Sequence, residues 1–417
     1  MSEAPTPPTT AAEAATPAPL AGLRVIDVGT RVSAPFCAGL MGELGAEVVK
    51  VEQPGTGDFM RGIGPFAPVD GLAEPGYSLY WAVEGRGRKS VTIDLHDPRG
   101  QDLFRRLAAT ADVVCENFRP GTLERWGIGP ADLDPRLVVV RCSVFGQDGP
   151  NATRGGLDRL GIAIGGLLHL TGEEDGPPIR PGLMVSDYLT GVFAAHAAIA
   201  ALYQRDAGGT GRGQVIDAAL YASVLRINEW TLAAYDRLGL VRGRFGNRLE
   251  NSAPIDNYLA ADGRYVCIVA GSDANFRRLC EAMERPDLPG DPRFGSTASR
   301  AAHNDAINAE VARWVAARPA TEVVERCLQT GTPVAPIYDT ADIFADPHIA
   351  ARGDLVAVDD PVIGPVRQQA PYPRLGGVAR PAPQGAPRLG EHTREVLRSL
   401  CGLDDAELDG LADAGVI

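Results

Sequence analysis

Leu23-Arg24-Val25-Ile26-Asp27-Val28, closed by Gly29-Thr30, and Glu47-Val48-Val49-Lys50-Val51-Glu52 bracket a stretch, 35–44, with helical composition. Two short apolar runs around a helix, with Gly45 where a C-cap belongs, read as strand, helix, strand. A crossover this short makes the strands a parallel pair, and ligands of such sheets lie at the carboxyl ends of the strands. The pattern continues outward. Residues 90–95, 111–116 and 137–144 read as further buried strands, 98–110 as a helix with Leu103, Phe104 and Leu107 on one face, and 122–126 as a short helix. The expected fold class is α/β, with a large Rossmann-like parallel-sheet domain.

Further along, 188–203 is an Ala-dense helix, 214–220 is a strand running into a helix, and 223–245 reads as helical up to a hinge at Arg242-Gly243-Arg244-Phe245-Gly246. Beyond it, the Asp262-Gly263 turn between 258–260 and 265–269 is a hairpin signal, and helices at 274–283 and about 301–317 make a small α+β domain. Residues 331–337 read as a strand, the Pro-rich 361–387 as extended and irregular, and 391–417 as helical pieces. The expected division is a disordered leader over 1–19, a large domain over 20–222, a small one over 223–329, and a return to the large domain over 330–417.

The 417 residues carry 40 Lys plus Arg against 53 Asp plus Glu, a net charge of -13 that argues against nucleic-acid or membrane-surface binding. Seven scattered cysteines without a C-x-x-C pair indicate neither a disulfide framework nor a metal site, and reduced thiols fit a cytoplasmic protein. The leader lacks the basic and apolar regions of a signal peptide, and no run reads as a membrane span.

Candidate chemistry lies in Ser186-Asp187-Tyr188, a lone carboxylate at the mouth of an apolar helix. Ser186 or Asp187 can be the N-cap; alternatively, helix amides and dipole hold Asp187 ionised beside a pocket as a nucleophile. Arg86-Gly87-Arg88-Lys89 is a solvated basic turn or an anion site; Arg88 stands where a Walker loop needs Gly before its Lys. No G-x-G-x-x-G follows a strand, so a nicotinamide site has no support. Asn117-Phe118-Arg119 places an amide, a ring and a guanidinium at a strand's carboxyl end.

Seven pieces in order resemble the class III coenzyme A transferases, which include formyl-CoA transferase, carnitine CoA-transferases and α-methylacyl-CoA racemases. They are residues 20–27, 44–52, Gly57-Asp58, 88–95, 116–121, Asp346-Pro347-His348 with Ala351-Arg352-Gly353, and 389–393. The resemblance implies Asp187 as a nucleophile that attacks an acyl-CoA, giving a mixed anhydride and then an aspartyl-CoA thioester. It also implies that Arg31, Val32 and Ser33 lie along the CoA, with Gln53 near its nucleotide end. Ile93 to His96 and Asn117, Phe118 and Arg119 would line the groove, and Arg125 would touch phosphate or adenine. CoA would be a substrate, with no tightly bound cofactor and no metal, and the assembly an interlocked homodimer.

Departures narrow the reading. Racemases of the family carry a histidine where Leu157 stands, and Leu157 cannot move a proton. The glycine run of formyl-CoA transferase is replaced by Gly246-Asn247-Arg248-Leu249-Glu250-Asn251-Ser252, in which Asn247 and Arg248 are candidates for an acceptor carboxylate or simply a polar hinge. The expected function is CoA transfer from an acyl-CoA to a free carboxylic acid. An acyl-CoA racemase and a non-catalytic acyl-CoA binding protein are the alternatives.

Overall fold

The computed structural model describes residues 17–71, 75–378 and 383–417, so the expected leader lies outside them up to residue 16. Contacts divide the chain into two compact units. The larger holds the chain up to Gly166, then Gly182–Glu229 and Gly353–Ile417; the smaller holds Leu167–Pro181 and Trp230–Arg352.

The large unit opens with the expected strand, helix and strand: β1 (Arg24–Asp27), α1 (Ser33–Glu43) and β2 (Glu47–Glu52). Gly45, at φ 101, ends α1 in a conformation that a side chain would strain. A short pair, β3 (Phe66–Ala67) and β4 (Tyr77–Ser78), leads through α2 (Leu79–Glu84) to β5 (Lys89–Thr92) and α3 (Pro98–Ala108). Asp97 caps α3, whose Leu103, Phe104 and Leu107 are buried. Then come β6 (Val113–Glu116), α4 (Thr122–Arg125), β7 (Val138–Ser143) and α5 (Asp158–Ile164). After α6 (Leu167–Leu170), in the small unit, the chain forms α7 (Val185–Asp206), β8 (Val215–Ala219) and α8 (Leu220–Arg226).

Six strands form one sheet in the order β5-β2-β1-β6-β7-β8, and every neighbouring pair is parallel. The chain winds outward from β1 on one side, then returns to place β6 on the other. The strand order therefore reverses between β1 and β6, which is where a crevice for ligand opens at the carboxyl ends.

The 22 residues of α7 are long and apolar enough to meet the length and composition of a membrane span, contrary to expectation. Its Ala194, Ala195, Ala198, Ala201 and Leu202 are buried in a core with Val25, Met41, Val138 and Val140, so α7 is a core helix of this unit.

In the small unit, α9 (Thr231–Leu238) precedes the hairpin of β9 (Ile255–Leu259) and β10 (Tyr265–Val269). Helices α10 (Asp273–Ala282), α11 (Thr297–Ala302), α12 (Asn304–Ala316) and α13 (Ala320–Thr330) follow, then β11 (Val334–Pro336), α14 (Thr340–Ala345) and α15 (Pro347–Arg352). Because β11 pairs with β10, this unit extends past residue 329, and the return to the large unit comes at Gly353 instead of 330. At the other boundary α8 stays in the large unit, beyond 222.

The stretch expected to be irregular from 361 contains the second strand of an antiparallel hairpin, β12 (Leu355–Asp360) and β13 (Gly364–Gln369). Its Pro361 falls in the turn, where the missing N–H breaks no ladder bond. Finally, α16 (Thr393–Cys401) and α17 (Asp405–Asp413) bring Val396, Leu397 and Leu408 into the core formed by Val91, Phe104 and Leu107. Both ends of the described chain thus build the large unit.

Candidate active site

Beneath the β1–α1 loop lies a network of buried charges. Lys50 Nζ, on β2, lies 3.3 Å from Asp27 Oδ2 and 2.9 Å from Asp58 Oδ2, and it also donates to the Gly29 carbonyl. Arg88 donates to Asp27 Oδ2 at 2.7 Å and to the Pro35 carbonyl at 2.6 Å. Two cations and two carboxylates thus neutralise one another and grip the loop from below, as buried charges require. Asp58 also accepts from the Arg31 amide at 3.2 Å, where Arg31 adopts φ 66, and the Arg31 guanidinium lies 3.6 Å over the Phe59 ring.

The cations of the basic turn at 86–89 are taken up by carboxylates instead of being left for an anion. Arg86 pairs with Glu43, Arg88 is buried on Asp27, and Lys89 lies 3.1 Å from Glu47 and 2.9 Å from Glu395.

Across the switch point, Asn117 ties the ends of β1 and β6 together. Its Oδ1 accepts from the Thr30 amide at 2.8 Å, and its Nδ2 donates to the Thr30 carbonyl at 2.6 Å and to Ser33 Oγ at 3.5 Å. Glu116, held by Arg141 at 2.6 Å, accepts from the Phe118 amide at 2.7 Å and fixes the turn that carries Asn117, Phe118 and Arg119.

The nucleophile candidate arrives on α7. Gly191 lets α7 approach α1, since a Cβ there would lie 2.9 Å from Phe36 and 3.0 Å from the Ser33 carbonyl. One turn earlier, Asp187 meets the start of α1, where the Ser33 hydroxyl lies on the same cavity and favours its anion. The helix-cap expectation is corrected: α7 begins at Val185, its N-cap is Met184 without a side-chain bond, and Ser186 and Asp187 lie inside the first turn. Asp158 on α5 supplies the missing acceptor. Its Oδ1 takes the Ser186 amide at 2.8 Å, the Ser186 hydroxyl at 2.9 Å and the Asp187 amide at 3.3 Å.

Burial pushes the Asp187 carboxyl up to about 7, with the nearby Asp158 charge adding to the rise; the Ser33 hydroxyl and the Arg31 cation oppose it. The expectation of a fully ionised carboxylate at neutral pH is therefore corrected: dipole and amides are outweighed by desolvation.

Two cavities open here. One, of about 200 Å³, has Arg31, Ser33, Asn117, Phe118, Arg119 and Asp187 in its lining, together with Ser143, Arg154 and Leu157. The other, of about 280 Å³, is lined by Gln53, Ile93, His96, Phe118 and Trp126, and both share Thr30 and Phe118. His96 is exposed, with Nδ1 2.9 Å from Asp94 and its ring 5.1 Å from Trp126.

Two expected residues are not brought to either cavity. Val32 is buried against Met60, Tyr77 and Trp81, and Arg125 points to Thr122 Oγ1 at 3.0 Å. In the small unit, Arg248 is taken up by Asp256 at 2.7 Å and Asp305 at 2.5 Å, so it is not a free cation for an acceptor. Sequence reasoning missed Asp158, Ser143 and Arg154. Only Asp158 had a signal, an acidic residue after Gly-Gly-Leu at a helix start, and its partner on α7 was invisible.

The model of CoA-transferase family III matches residues 20–393. The chain belongs to CoA-transferase family III. Similar proteins include the succinyl-CoA–L-malate CoA-transferase beta subunit of Chloroflexus aurantiacus, 41% identical, with 96% of this chain and 98% of that one covered. The succinyl-CoA–D-citramalate CoA-transferase of the same organism is 39% identical over 96% and 98% of the two chains. Among solved structures, a CaiB/BaiF family protein from Brucella suis superimposes with a TM-score of 0.82 at 32% identity, covering 92% of this chain and all of that one. This family III CoA-transferase carries CoA between acyl-CoA thioesters and carboxylic acids. Among the described residues, no histidine lines the cavity that holds its Asp187.

Proposed function

We propose that this CoA-transferase moves CoA from succinyl-CoA to a small dicarboxylic acid through covalent intermediates on Asp187. The observation that carries the reading is the Asp187 carboxyl, largely withdrawn from water in a cavity at the sheet's switch point, beside the first turn of α1 and the Arg31 cation. A desolvated carboxylate is a stronger nucleophile than a hydrated one, and the first-turn N–H groups of a helix stabilise charge that develops beside them.

In this mechanism an Asp187 oxygen attacks the thioester carbonyl, the C–S bond breaks, and CoA leaves as thiolate from a mixed anhydride. The thiolate then attacks the Asp187 carbonyl carbon, releasing succinate and leaving an aspartyl-CoA thioester. The acceptor carboxylate repeats these steps in reverse. CoA runs across the wall shared at Thr30 and Phe118 into the cavity of Gln53, Ile93 and His96.

The succinyl donor and the dicarboxylate acceptor follow the names of the relatives. Arg154, on the Asp187 cavity and stacked 5.1 Å from the Phe145 ring, is the guanidinium assigned to the distal carboxylate. A homodimer accounts for apolar side chains left exposed on both units, including Phe193 and Tyr203 on α7 and Tyr235 and Leu238 on α9.

Mass spectrometry of protein quenched with succinyl-CoA and no acceptor tests the reading. The Asp187 peptide should gain the mass of CoA, and hydroxylamine should convert it to a hydroxamate. Turnover without that adduct, or with Asp187→Asn unimpaired where a loss of about a thousandfold or more is expected, would refute it. In the same enzyme, Arg154→Gln should raise KM for dicarboxylates and leave monocarboxylate acceptors unaffected.

A further inference from the structure

Asp158 stands at the first position of α5, yet its side chain does not serve its own helix. It is buried, and its Oδ1 collects the amides of Ser186 and Asp187 and the Ser186 hydroxyl, all on α7. Close fit makes this exchange obligatory. A Cβ at Gly161, one turn along α5, would lie 2.6 Å from Ser186 Oγ and 2.9 Å from Leu220 Cβ, so only glycine lets the two helix starts meet. The result is an anion held by α7's own amides directly beneath the carboxylate they carry.

We propose that Asp158 is a positioning residue that caps α7 from outside and presses its charge on Asp187, so that every covalent state in which Asp187 is neutral is favoured over the free carboxylate. This rests on Asp187 being the nucleophile. The charge balance shows why. Whenever Asp187 is ionised in the free enzyme, its charge is opposed by that of Asp158, whose Oδ1 lies on the Asp187 amide. When an Asp187 oxygen bonds to the acyl carbon and the C–S bond breaks, the electron pair leaves on the CoA sulfur, and Asp187 becomes a neutral anhydride. In the aspartyl-CoA thioester it remains neutral, with the charge departing on the released carboxylate. Each acylation relieves the repulsion from Asp158, and each regeneration of the free enzyme restores it.

Other groups face Asp187 from the packed elements. Arg31 from the β1–α1 loop and Ser33 from α1 favour its anion. Tyr80 on α2 and Cys142 on β7 are themselves pushed up, mainly by their burial, with the Asp187 charge as a further contribution. Arg119 and Arg154 stand exposed on the rim. None of these both fixes the α7 backbone and carries a negative charge; Asp158 does both.

The test uses Asp158→Asn, which keeps a carbonyl oxygen able to accept the Ser186 and Asp187 amides but removes the charge. Aspartyl-CoA formed from succinyl-CoA is followed by mass spectrometry across pH, in full-length wild type and variant. The expected result is a rising limb displaced to lower pH by about one, with the equilibrium yield of adduct reduced about tenfold, as one pH unit of relieved repulsion implies. A purely structural role would lower the amount of active protein without moving the limb. An unchanged limb and yield in folded Asp158→Asn overturn the proposal. Asp158→Ser, whose hydroxyl can still accept the Ser186 amide, is read in the same way where the Asn variant does not fold. Absence of any Asp187 adduct in wild type would instead remove the nucleophile reading itself, a result separable from the other because it needs no variant.

Discussion

Asp187→Asn should make the protein more stable above neutral pH while disabling it. Asparagine has nearly the same shape and keeps an oxygen for the Ser33 hydroxyl. The folded carboxyl titrates near 7, against an ordinary value of 3.8, because burial opposes its charge. Below about pH 4 both folded and unfolded chains hold the proton, and the group contributes nothing. Between that and about pH 7 the unfolded chain releases the proton while the folded chain keeps it, so wild-type stability falls as pH rises. Above about 7 the loss is constant. At ~1.4 kcal/mol for each pH unit, the interval of about three is worth about 4 kcal/mol, a ceiling because Asp187 keeps some access to water. Asparagine does not titrate and escapes the loss. Equilibrium urea unfolding of both proteins should therefore show a gap of up to about 4 kcal/mol in favour of Asp187→Asn near pH 8.5, closing towards zero near pH 4. A gap of the same size at both ends of the range would refute the claim that desolvation of this carboxyl dominates its site.

Two further outcomes follow from the same geometry. Ser33→Ala removes the hydroxyl that lowers Asp187, so the rising limb of kcat/KM should move to higher pH, with activity at pH 7 reduced several-fold and little changed near pH 9; an unmoved limb would show that the hydroxyl does not reach the carboxylate. Lys50→Met leaves Asp27 and Asp58 buried without their shared cation and the Gly29 carbonyl without its donor, and urea unfolding should register a loss of about 3–5 kcal/mol.

Much of the scaffold was legible because its signals are local. The Val-rich runs at β2, β6 and β7 are buried almost throughout, and such strands read as continuous apolar stretches. The hairpin of β9 and β10 announced itself through Asp262-Gly263. What failed was partnership. Residues 331–337 read correctly as holding a strand, but nothing local says that β11 joins β10 in the small sheet, and the domain boundary moved with that pairing. The basic turn at 86–89 failed for a related reason. A run of like charges looks solvated when its partners, Glu43, Asp27, Glu47 and Glu395, lie far off in the chain.

The site divides along the same line. Asp187 and Asn117, which line one cavity, drew attention through local signals: a lone carboxylate at an apolar helix start and an amide at the end of a strand. How acidic Asp187 is could not be found, since it is set first by burial and then by Asp158, Ser33 and Arg31, which lie 29, 154 and 156 residues away in the numbering and meet it only through packing of elements far apart in the chain, as at Gly191 and Gly161. Capping preference, the rule that pointed to Ser186 or Asp187, fails here for an instructive reason. The first turn of α7 does need an acceptor, and the need is met from α5, 28 residues earlier. A local cap would have satisfied the amides with a short polar side chain; an external carboxylate satisfies them and also places a charge against Asp187. The start of α7 lacks its own cap, and the residue that fills that vacancy, Asp158, is by the same contact within reach of the carboxyl group that the first turn carries.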